Sequence, residues 1–533
     1  MNKFVQIIFF SLLWSQESKL IPFDWGGQFG YVNKNGKIMW NEDWKSNRLL
    51  FDGTWSIYPR IFGPEIESGF LNPNLDPDSN IDSSLVTSYF KYDQGDYVLD
   101  RFSLGADYAG KGRHVQIHAF KRSYAGLFGQ YVTGSNQPIQ QSYNASYESN
   151  KGLDEAGVSL GHFNTFSGMA DSTSRGLINN HITTANTFWN RSLGQFKSKL
   201  SIDQFLQRYQ ANHSLSEFTG VRYLTRSRVM AELIWKDNLT FGVKKNTRNV
   251  RMDSLITTQW NRYYLKGQFF ILNLDIGMKS INKKMNLDYS LGMEYQLKSF
   301  LFNAGVGKNA NPIHPYYLFH KYSETISSVT SISNYYTGIR WNGNESKASV
   351  NFSNLSDKNA YWDSVIPDSG NYLWHKNVHQ QFNINYQTSW LPFVDFEIKY
   401  ATQNLKNLYG GGIGYFLNYN LKSKLSLFDG FMLLDLKLGV DRYMNRLNNS
   451  NIHPIEMVPM IVYTNEKMDN ITLLNGSITA YVSTFTIKYE WFNISEMIFA
   501  SIGSEQNNFF ETHPEMPQLG QQANLSVEWH FLD

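Results

Sequence analysis

The chain has 533 residues, 42% of them hydrophobic and 16% aromatic, and a formal net charge of +2. A soluble hydrophobic core seldom grows beyond roughly 250–300 residues, so this length excludes a single ordinary globular core. The balanced charge argues against a protein that binds nucleic acid through phosphate contacts. The absence of cysteine excludes disulfide bonds and thiolate zinc sites.

The N-terminus is typical of an export signal. Lys3 is the only charged residue before a mostly apolar run from Phe4 to Trp14. This run is shorter than the about 20 apolar residues that a membrane-spanning helix needs. We therefore predict a signal peptide over residues 1–15, cleaved before Gln16 after export through the inner membrane.

Residues 16–82 form an irregular N-terminal segment. An Asn-Gly pair suits a tight reversal, so we expect a hairpin within residues 28–40 around a turn at residues 33–36. We expect the segment to lie in the periplasm or in the lumen of the structure that follows. In the lumen it would act as a small constriction or plug.

A polar loop in this segment carries four oxygen-bearing side chains at alternate positions, namely Asp76, Asp78, Asn80 and Asp82. The spacing resembles the start of a calcium-binding loop. However, Ile81 stands where the turn glycine is required, and Thr87 stands where the bidentate glutamate is required. A solvated acidic loop is the favoured interpretation, calcium is the alternative, and we expect no other metal and no cofactor.

From residue 83 to residue 533 the sequence predicts one strand after another. In residues 285–297 apolar side chains alternate with polar ones or glycine without interruption. Successive side chains of a strand point to opposite faces, so this strand has one apolar and one polar face over roughly 45 Å. That length exceeds the about 5–6 residues of a typical globular strand and suits a tilted strand that crosses a membrane.

The same alternation recurs in about 20–22 candidate strands, down to the last stretch, Ala523–Phe531. Tight turns at residues 237–238 and 391–392 contrast with long polar connections at residues 305–325, 357–378 and 503–520. Short turns at one rim and long loops at the other are the outer-membrane pattern. The predicted fold is all-β, a large antiparallel transmembrane β-barrel with short periplasmic turns and long extracellular loops.

Two sets of residues follow from the assignment of faces. Aromatic side chains near the strand ends are expected at the membrane interfaces, namely Trp235, Trp390, Tyr400, Trp491, Trp529 and Phe531. Charged side chains on the polar faces are expected to line the lumen and to set its selectivity, namely Asp275, Lys279, Asp288, Glu294, Lys298, Asp395, Glu397 and Lys399. Both signs occur, so no simple anion or cation preference follows.

The alternating strands, the long loops and the aromatic-ended last strand resemble a bacterial outer-membrane β-barrel. The stretch from His513 to Gly520, with its two prolines, followed by Ala523–Phe531, is similar to the last loop and strand of TonB-dependent-receptor barrels. Such receptors carry a plug domain before the barrel, for which residues 16–82 leave no room. The resemblance therefore implies a Gram-negative outer-membrane porin, or a receptor barrel without its plug domain.

Three motifs with catalytic or metal-binding spacing have structural explanations. The pattern G-x-S-x-G at residues 157–161 needs a strand-to-helix turn, but its surroundings alternate as a strand. On a strand His114 and His118 lie about 13 Å apart, too far for one zinc ion. His375 and His379 have the same spacing in a predicted loop, where a metal site stays a minor alternative. We expect no enzyme activity.

Three functional hypotheses remain. The first is a porin-like or receptor-like channel for passive passage of small solutes, because a barrel this large encloses more space than its side chains fill. The second is a non-conducting barrel that serves as a binding, anchoring or assembly component and holds a periplasmic or surface protein partner. The third, a barrel hydrolase, lacks a Ser-His-acid constellation. The expected partners are outer-membrane lipid and small solutes, and no nucleic acid.

Overall fold

The structure is a computed structural model that describes residues 31–34, 37–40, 85–96, 99–123, 139–168, 177–312 except 215, 217 and 219, 329–364, 372–403 except 392, 415–445, 467–495 and 521–532. Among these residues no helix is long and apolar enough to cross a membrane. The signal peptide over residues 1–15, the acidic loop at residues 76–82 and the stretch from His513 to Gly520 lie outside them, so these predictions stay predictions.

Twenty-two antiparallel strands close into one barrel, at the upper end of the predicted count. Two short strands precede it within the described residues, β1 (Tyr31–Lys34) and β2 (Lys37–Trp40). The barrel strands are β3 (Leu85–Gly95), β4 (Leu99–Gly110), β5 (Arg113–Ser123), β6 (Ile139–Lys151), β7 (Asp154–Gly168), β8 (Leu177–Leu193), β9 (Phe196–Asn212), β10 (Arg222–Trp235), β11 (Leu239–Arg251), β12 (Leu255–Phe269), β13 (Leu272–Ile281), β14 (Lys284–Leu297), β15 (Phe300–Pro312), β16 (Val329–Asn342), β17 (Ser346–Ser364), β18 (Tyr372–Leu391), β19 (Val394–Gln403), β20 (Tyr415–Leu427), β21 (Met432–Met444), β22 (Ile471–Val482), β23 (Phe485–Phe492) and β24 (Gln522–Leu532). A short 3-10 turn, Phe428–Gly430, joins β20 to β21.

Each strand pairs with its neighbours in the chain, and β24 closes the barrel against β3, with Leu525 opposite Gln94. Closure removes every free sheet edge from the barrel, as a bilayer requires. The predicted all-β barrel is therefore confirmed.

The two ends of the barrel differ in their connections. At the end where β3 begins and β24 ends, no connection exceeds four residues; we call it the turn end. At the opposite end, the loop end, β5 and β6 are separated by residues 124–138, β15 and β16 by residues 313–328, and β21 and β22 by residues 445–470. In outer-membrane barrels the short turns face the periplasm. The turn end is therefore the periplasmic end.

The outer face of the barrel is apolar and exposed. On β14 the side chains of Leu287, Leu291 and Met293 point outward, and each is more than 40% exposed. Aromatic side chains mark the turn end of this face, including Phe196, Trp235, Phe269, Phe300 and Trp529. An apolar surface of this extent suits a bilayer and not water. The chain is thus a multi-pass outer-membrane barrel, as predicted.

The predicted interface aromatics fall at both ends of the outer face. Trp529 stacks on Phe485 at a ring distance of 4.7 Å and lies 4.5 Å from Phe531, at the turn end. Toward the loop end, Tyr400 stacks on Tyr415 at 6.3 Å. Also toward that end, Trp491 lies 5.7 Å from Tyr489. The backbone of Trp390 belongs to the turn end of β18, while its side chain lies outside the described part.

Two predicted loop boundaries are wrong. β15 continues to Pro312, into the connection expected at residues 305–325. β17 and β18 together occupy most of the connection expected at residues 357–378, up to Ser364 and again from Tyr372. Strands of 19 and 20 residues exceed the about 9–11 residues that cross a bilayer. Where a strand projects into water both of its faces are wetted, so its sequence loses the alternation on which the prediction depended.

The N-terminal hairpin is present, with Tyr31 opposite Trp40 and Lys34 opposite Lys37. Its second strand lies beside β6 and β7 of the barrel. The placement of residues 16–82 as a whole stays a prediction.

Candidate functional site in the barrel lumen

A cluster of paired charges lines the lumen on β12, β13 and β14, and we call it the first charge cluster. The Arg262 guanidinium donates to Asp275, with an Nη2–Oδ1 distance of 2.7 Å, and to Asp288, with an Nε–Oδ2 distance of 2.9 Å. Lys279 lies 3.2 Å from Asp288 and donates to the carbonyl oxygen of Ala310 at 2.7 Å. The structure thus brings together three predicted lumen residues, with Arg262 as the common partner of the two aspartates and Lys279 as a second partner of Asp288.

An aromatic side chain, Tyr264, connects the first charge cluster to the neighbouring strands β11 and β10. Tyr264 donates to Glu232 of β10 at 2.6 Å, and the Arg262 guanidinium lies 4.8 Å from the centre of its ring. The ring packs against Gly242 of β11, where any Cβ would collide with it. Glycine is therefore needed at this position so that the tyrosine can lie flat against the wall.

A second charge cluster lies on β19, β20 and β21. Glu397 is 3.0 Å from Lys399 and 3.5 Å from Lys422. Next to it, Asp441 accepts hydrogen bonds from Asn418 at 2.6 Å and from Asn475 at 2.7 Å. Two more predicted residues, Glu397 and Lys399, thus meet here, and every carboxylate in this cluster has a donor.

The other predicted lumen residues have separate positions. Glu294 is on the inner face of β14, opposite Asn303 of β15. Asp395 is on β19, opposite Lys422. Lys298 lies in the turn after β14, with a left-handed φ of 53° and an exposed side chain, so it belongs to the rim and not to the lumen wall.

A buried ion pair joins the strands next to the closing seam. Arg101 of β4 makes two hydrogen bonds of 2.6 Å to the carboxylate of Asp93 on β3. Asp93 is 0% exposed and Arg101 is 4% exposed. Asn524 of β24 donates to the same carboxylate at 3.5 Å. The pair therefore links the first two barrel strands to the last.

The residues with catalytic or metal-binding spacing are ordinary members of strands. Residues 157–161 lie within β7. His114 contacts Asp107 at 2.8 Å and Glu148 at 3.8 Å, whereas His118 bonds Tyr89. The described residues hold no group of three or more His, Asp or Glu arranged to bind a metal ion. The side chains of His375 and His379 lie outside the described part.

A belt of buried apolar side chains lines the lumen toward the loop end; we call it the mouth belt. Its members point inward and are at most 9% exposed: Leu99, Phe120, Phe163, Ile182, Phe205, Tyr209, Leu224, Val250, Trp260, Ile281, Phe416, Tyr443, Ile471, Leu473 and Phe492. The rings of Phe416 and Tyr443 lie 5.1 Å apart, and the Arg222 guanidinium lies 4.6 Å from the Tyr209 ring. Water therefore reaches little of the inner wall at this level.

The inner wall nearer the turn end is different, since several of its polar and charged side chains are exposed to water. Ser290, Arg340, Lys399 and Lys437 are exposed there. The lumen thus has exposed polar side chains on the periplasmic side and, on the outer side, a belt of buried apolar side chains interspersed with buried polar ones such as Arg122 and Arg222. Sequence reasoning missed this belt, because an inward Phe205 or Tyr209 merely interrupts an alternating pattern.

No protein-family model matches the sequence, and no curated protein matches it. Solved structures do match the fold. The FrpB iron transporter from Neisseria meningitidis (F3-3 variant) gives a TM-score of 0.65 at 10% identity, over 84% of this chain and 81% of that chain. The PfeA ferric enterobactin receptor mutant R480A_Q482A from Pseudomonas aeruginosa gives 0.62 at 10% identity, over 84% and 80%.

A third match is the siderophore receptor PirA from Acinetobacter baumannii, with a TM-score of 0.60 at 10% identity, over 84% of this chain and 81% of that chain. These identities establish the fold alone. Together with the closed barrel and its apolar outer face, they show that the chain is an outer-membrane β-barrel that resembles the barrel of TonB-dependent receptors.

Proposed function

We propose that this barrel is a receptor-like transport protein that lets small solutes pass along its polar lumen. The observation that carries the proposal is the inner wall toward the turn end, which presents exposed polar and charged side chains such as Arg340, Lys399 and Lys437. The solved structures with a similar fold are those of an iron transporter, a ferric enterobactin receptor and a siderophore receptor. This similarity supports transport as the class of function.

The paired charges bear on selectivity. In the first charge cluster one arginine and one lysine face two aspartates, and in the second charge cluster two lysines lie with two carboxylates, Glu397 and Asp441. When fixed charges of opposite sign lie close together, their electric fields largely cancel for an ion several ångströms away. We therefore expect weak selectivity between small anions and cations.

The mouth belt favours a second candidate function, a barrel that does not conduct at rest and serves in binding, anchoring or assembly. A covered outer end would hinder diffusion from outside. The N-terminal segment adds to this candidate, since β2 lies beside β6 and β7 and residues 16–82 would constrict the lumen if they enter it.

Single-channel conductance of the refolded full chain in a planar bilayer, together with liposome swelling in arabinose, tests the proposal. Stable conductance and swelling above the rate of empty liposomes are expected for a transport barrel. A protein that inserts, resists heat as a folded barrel and yet passes neither ions nor arabinose would contradict transport and favour the second candidate.

Deletion of residues 17–80 tests the constriction separately. If the segment narrows the lumen, the deletion variant conducts more than the full chain in the same bilayer. Equal conductance of the two proteins would exclude a constricting role.

A further inference from the structure

A charge-poor part of the inner wall lies between the two charge clusters. On neighbouring strands β14 to β18 the register places Glu294, Asn303, Gly338, Asn351 and Asn383 side by side at one level. The next level toward the loop end holds Gly292, Gly305, Tyr336 and Ser353. Amides, one aromatic ring and glycines thus replace the paired charges found on either side.

Tyr336 lies flat against this wall. A Cβ at Gly305 would meet the Tyr336 ring at 2.6 Å, and a Cβ at Gly292 would lie 3.2 Å from its hydroxyl oxygen. One face of the ring thus rests on two glycines, and the side chain is only half-buried, which leaves the other face toward the lumen. The face of an aromatic ring is electronegative and attracts polarised C–H groups.

Side-chain amides lie at the levels on either side of the ring. The amide oxygens of Asn303 and Asn351 converge above Gly338, and the amide oxygen of Asn334 lies above Gly307, 2.6 Å from where a Cβ would be. Asn351 is exposed to the lumen. The amide oxygen of Asn303 is buried, so its amide nitrogen is the group left to donate to a ligand, whereas the exposed Asn351 offers both donors and acceptors. Amide donors and acceptors together are the mixture that sugar hydroxyls match.

We propose that this wall, which we call the amide platform, binds a neutral oligosaccharide, with a sugar ring stacked on Tyr336 and its hydroxyls bonded to Asn303, Asn334 and Asn351. The inference rests on the proposed transport function, for which it names the substrate class. Glu294 at the edge of the same level and Arg340 one level toward the turn end carry opposite charges, so the wall favours neither an anionic nor a cationic ligand and suits a neutral one.

Isothermal titration calorimetry of the full chain in detergent tests the amide platform with four probes, maltohexaose, cellohexaose, xylohexaose and mannohexaose. Binding of at least one hexasaccharide at millimolar concentration is expected. Tyr336→Ala should weaken that binding by about tenfold or more, and Asn351→Ala by several-fold, as loss of a stacking surface or of one hydrogen bond implies.

Tyr335→Ala is the matched control, because the neighbouring Tyr335 points outward to lipid and its loss should leave binding unchanged. Heat-dependent mobility on electrophoresis shows whether each variant is folded. If Tyr336→Ala does not fold, the effect of Asn351→Ala on binding tests the proposal, because the Asn351 side chain is exposed. The proposal is overturned if none of the four hexasaccharides binds, or if the folded variants bind as tightly as the unaltered chain.

Calorimetry in detergent does not require passage through the membrane, so it separates this inference from the transport proposal. Binding without swelling of liposomes would contradict transport and uphold the amide platform. Swelling in arabinose without binding of any hexasaccharide would uphold transport and overturn the amide platform.

Discussion

At the scale of single residues, the buried pair of Asp93 and Arg101 is the interaction whose disruption should destabilise the barrel most. Removing one partner of a buried pair leaves an uncompensated charge, which costs about 3–5 kcal/mol. We expect Asp93→Ala to lower the free energy of unfolding by this amount, measured by urea titration of the refolded protein in detergent.

The control for this prediction is a looser pair across the closing contact between β3 and β24. Lys91 and Glu528 are 3.9 Å apart, and both side chains retain more than a fifth of their exposure. An exposed pair contributes about 0–1 kcal/mol, so Lys91→Ala should leave the unfolding curve almost unchanged. Equal losses for the two variants would show that burial does not govern the strength of these pairs.

Arg262 is the residue whose removal should change selectivity. Arg262→Gln leaves Asp275 and Asp288 without their shared guanidinium, so the lumen gains negative charge at the first charge cluster. We expect the reversal potential in a potassium chloride gradient to shift toward cation selectivity. Lys298→Gln removes the same charge from the rim turn, and its shift should be much smaller.

At the scale of strands, the assignment of faces on β14 predicts opposite effects for neighbouring residues. Leu291 points outward into the lipid, whereas Ser290 is exposed to the lumen. An arginine on the lipid face costs about 2–4 kcal/mol near the middle of the bilayer. Leu291→Arg should therefore refold into liposomes with this loss of stability, and Ser290→Arg should refold almost as well as the unaltered chain. Similar losses of stability for both variants would contradict the assignment of Leu291 to the lipid face and of Ser290 to the lumen face.

The sequence was sufficient for strands that cross the membrane, because lipid on one side and water on the other impose a period of two. β14 and β24 match their predicted stretches to within a residue or two. The sequence was insufficient where lipid no longer covers one face of the strand, as in the parts of β17 and β18 that project beyond the bilayer. It also did not reveal the partners of Asp275 or Glu397, since these depend on the register between strands. Arg262 in particular stands 13 residues from one partner and 26 from the other.

At the scale of the whole molecule, the lumen is asymmetric along its axis. The exposed polar side chains on the periplasmic side would by themselves favour a permanently open channel, while the mouth belt on the outer side opposes one. Both features belong to one barrel in which inward aromatic and aliphatic side chains become frequent toward the loop end, beside buried charges such as Arg122 and Arg222. Passage from outside should therefore be limited at the mouth belt and not at the charge clusters.

If the mouth belt limits passage, removal of some of its side chains should make the barrel more permeable. The double variant Phe416→Ala, Tyr443→Ala removes two rings that pack 5.1 Å apart inside the loop end. We expect liposomes with this variant to swell faster in arabinose than those with the unaltered chain, because the barrier to diffusion is lowered. The matched control is Phe485→Ala, Trp529→Ala, which removes a stacked pair at 4.7 Å from the outer face at the turn end. The control should weaken anchoring in the membrane but leave the swelling rate per folded barrel unchanged, and equal swelling rates for the two double variants would place the barrier elsewhere.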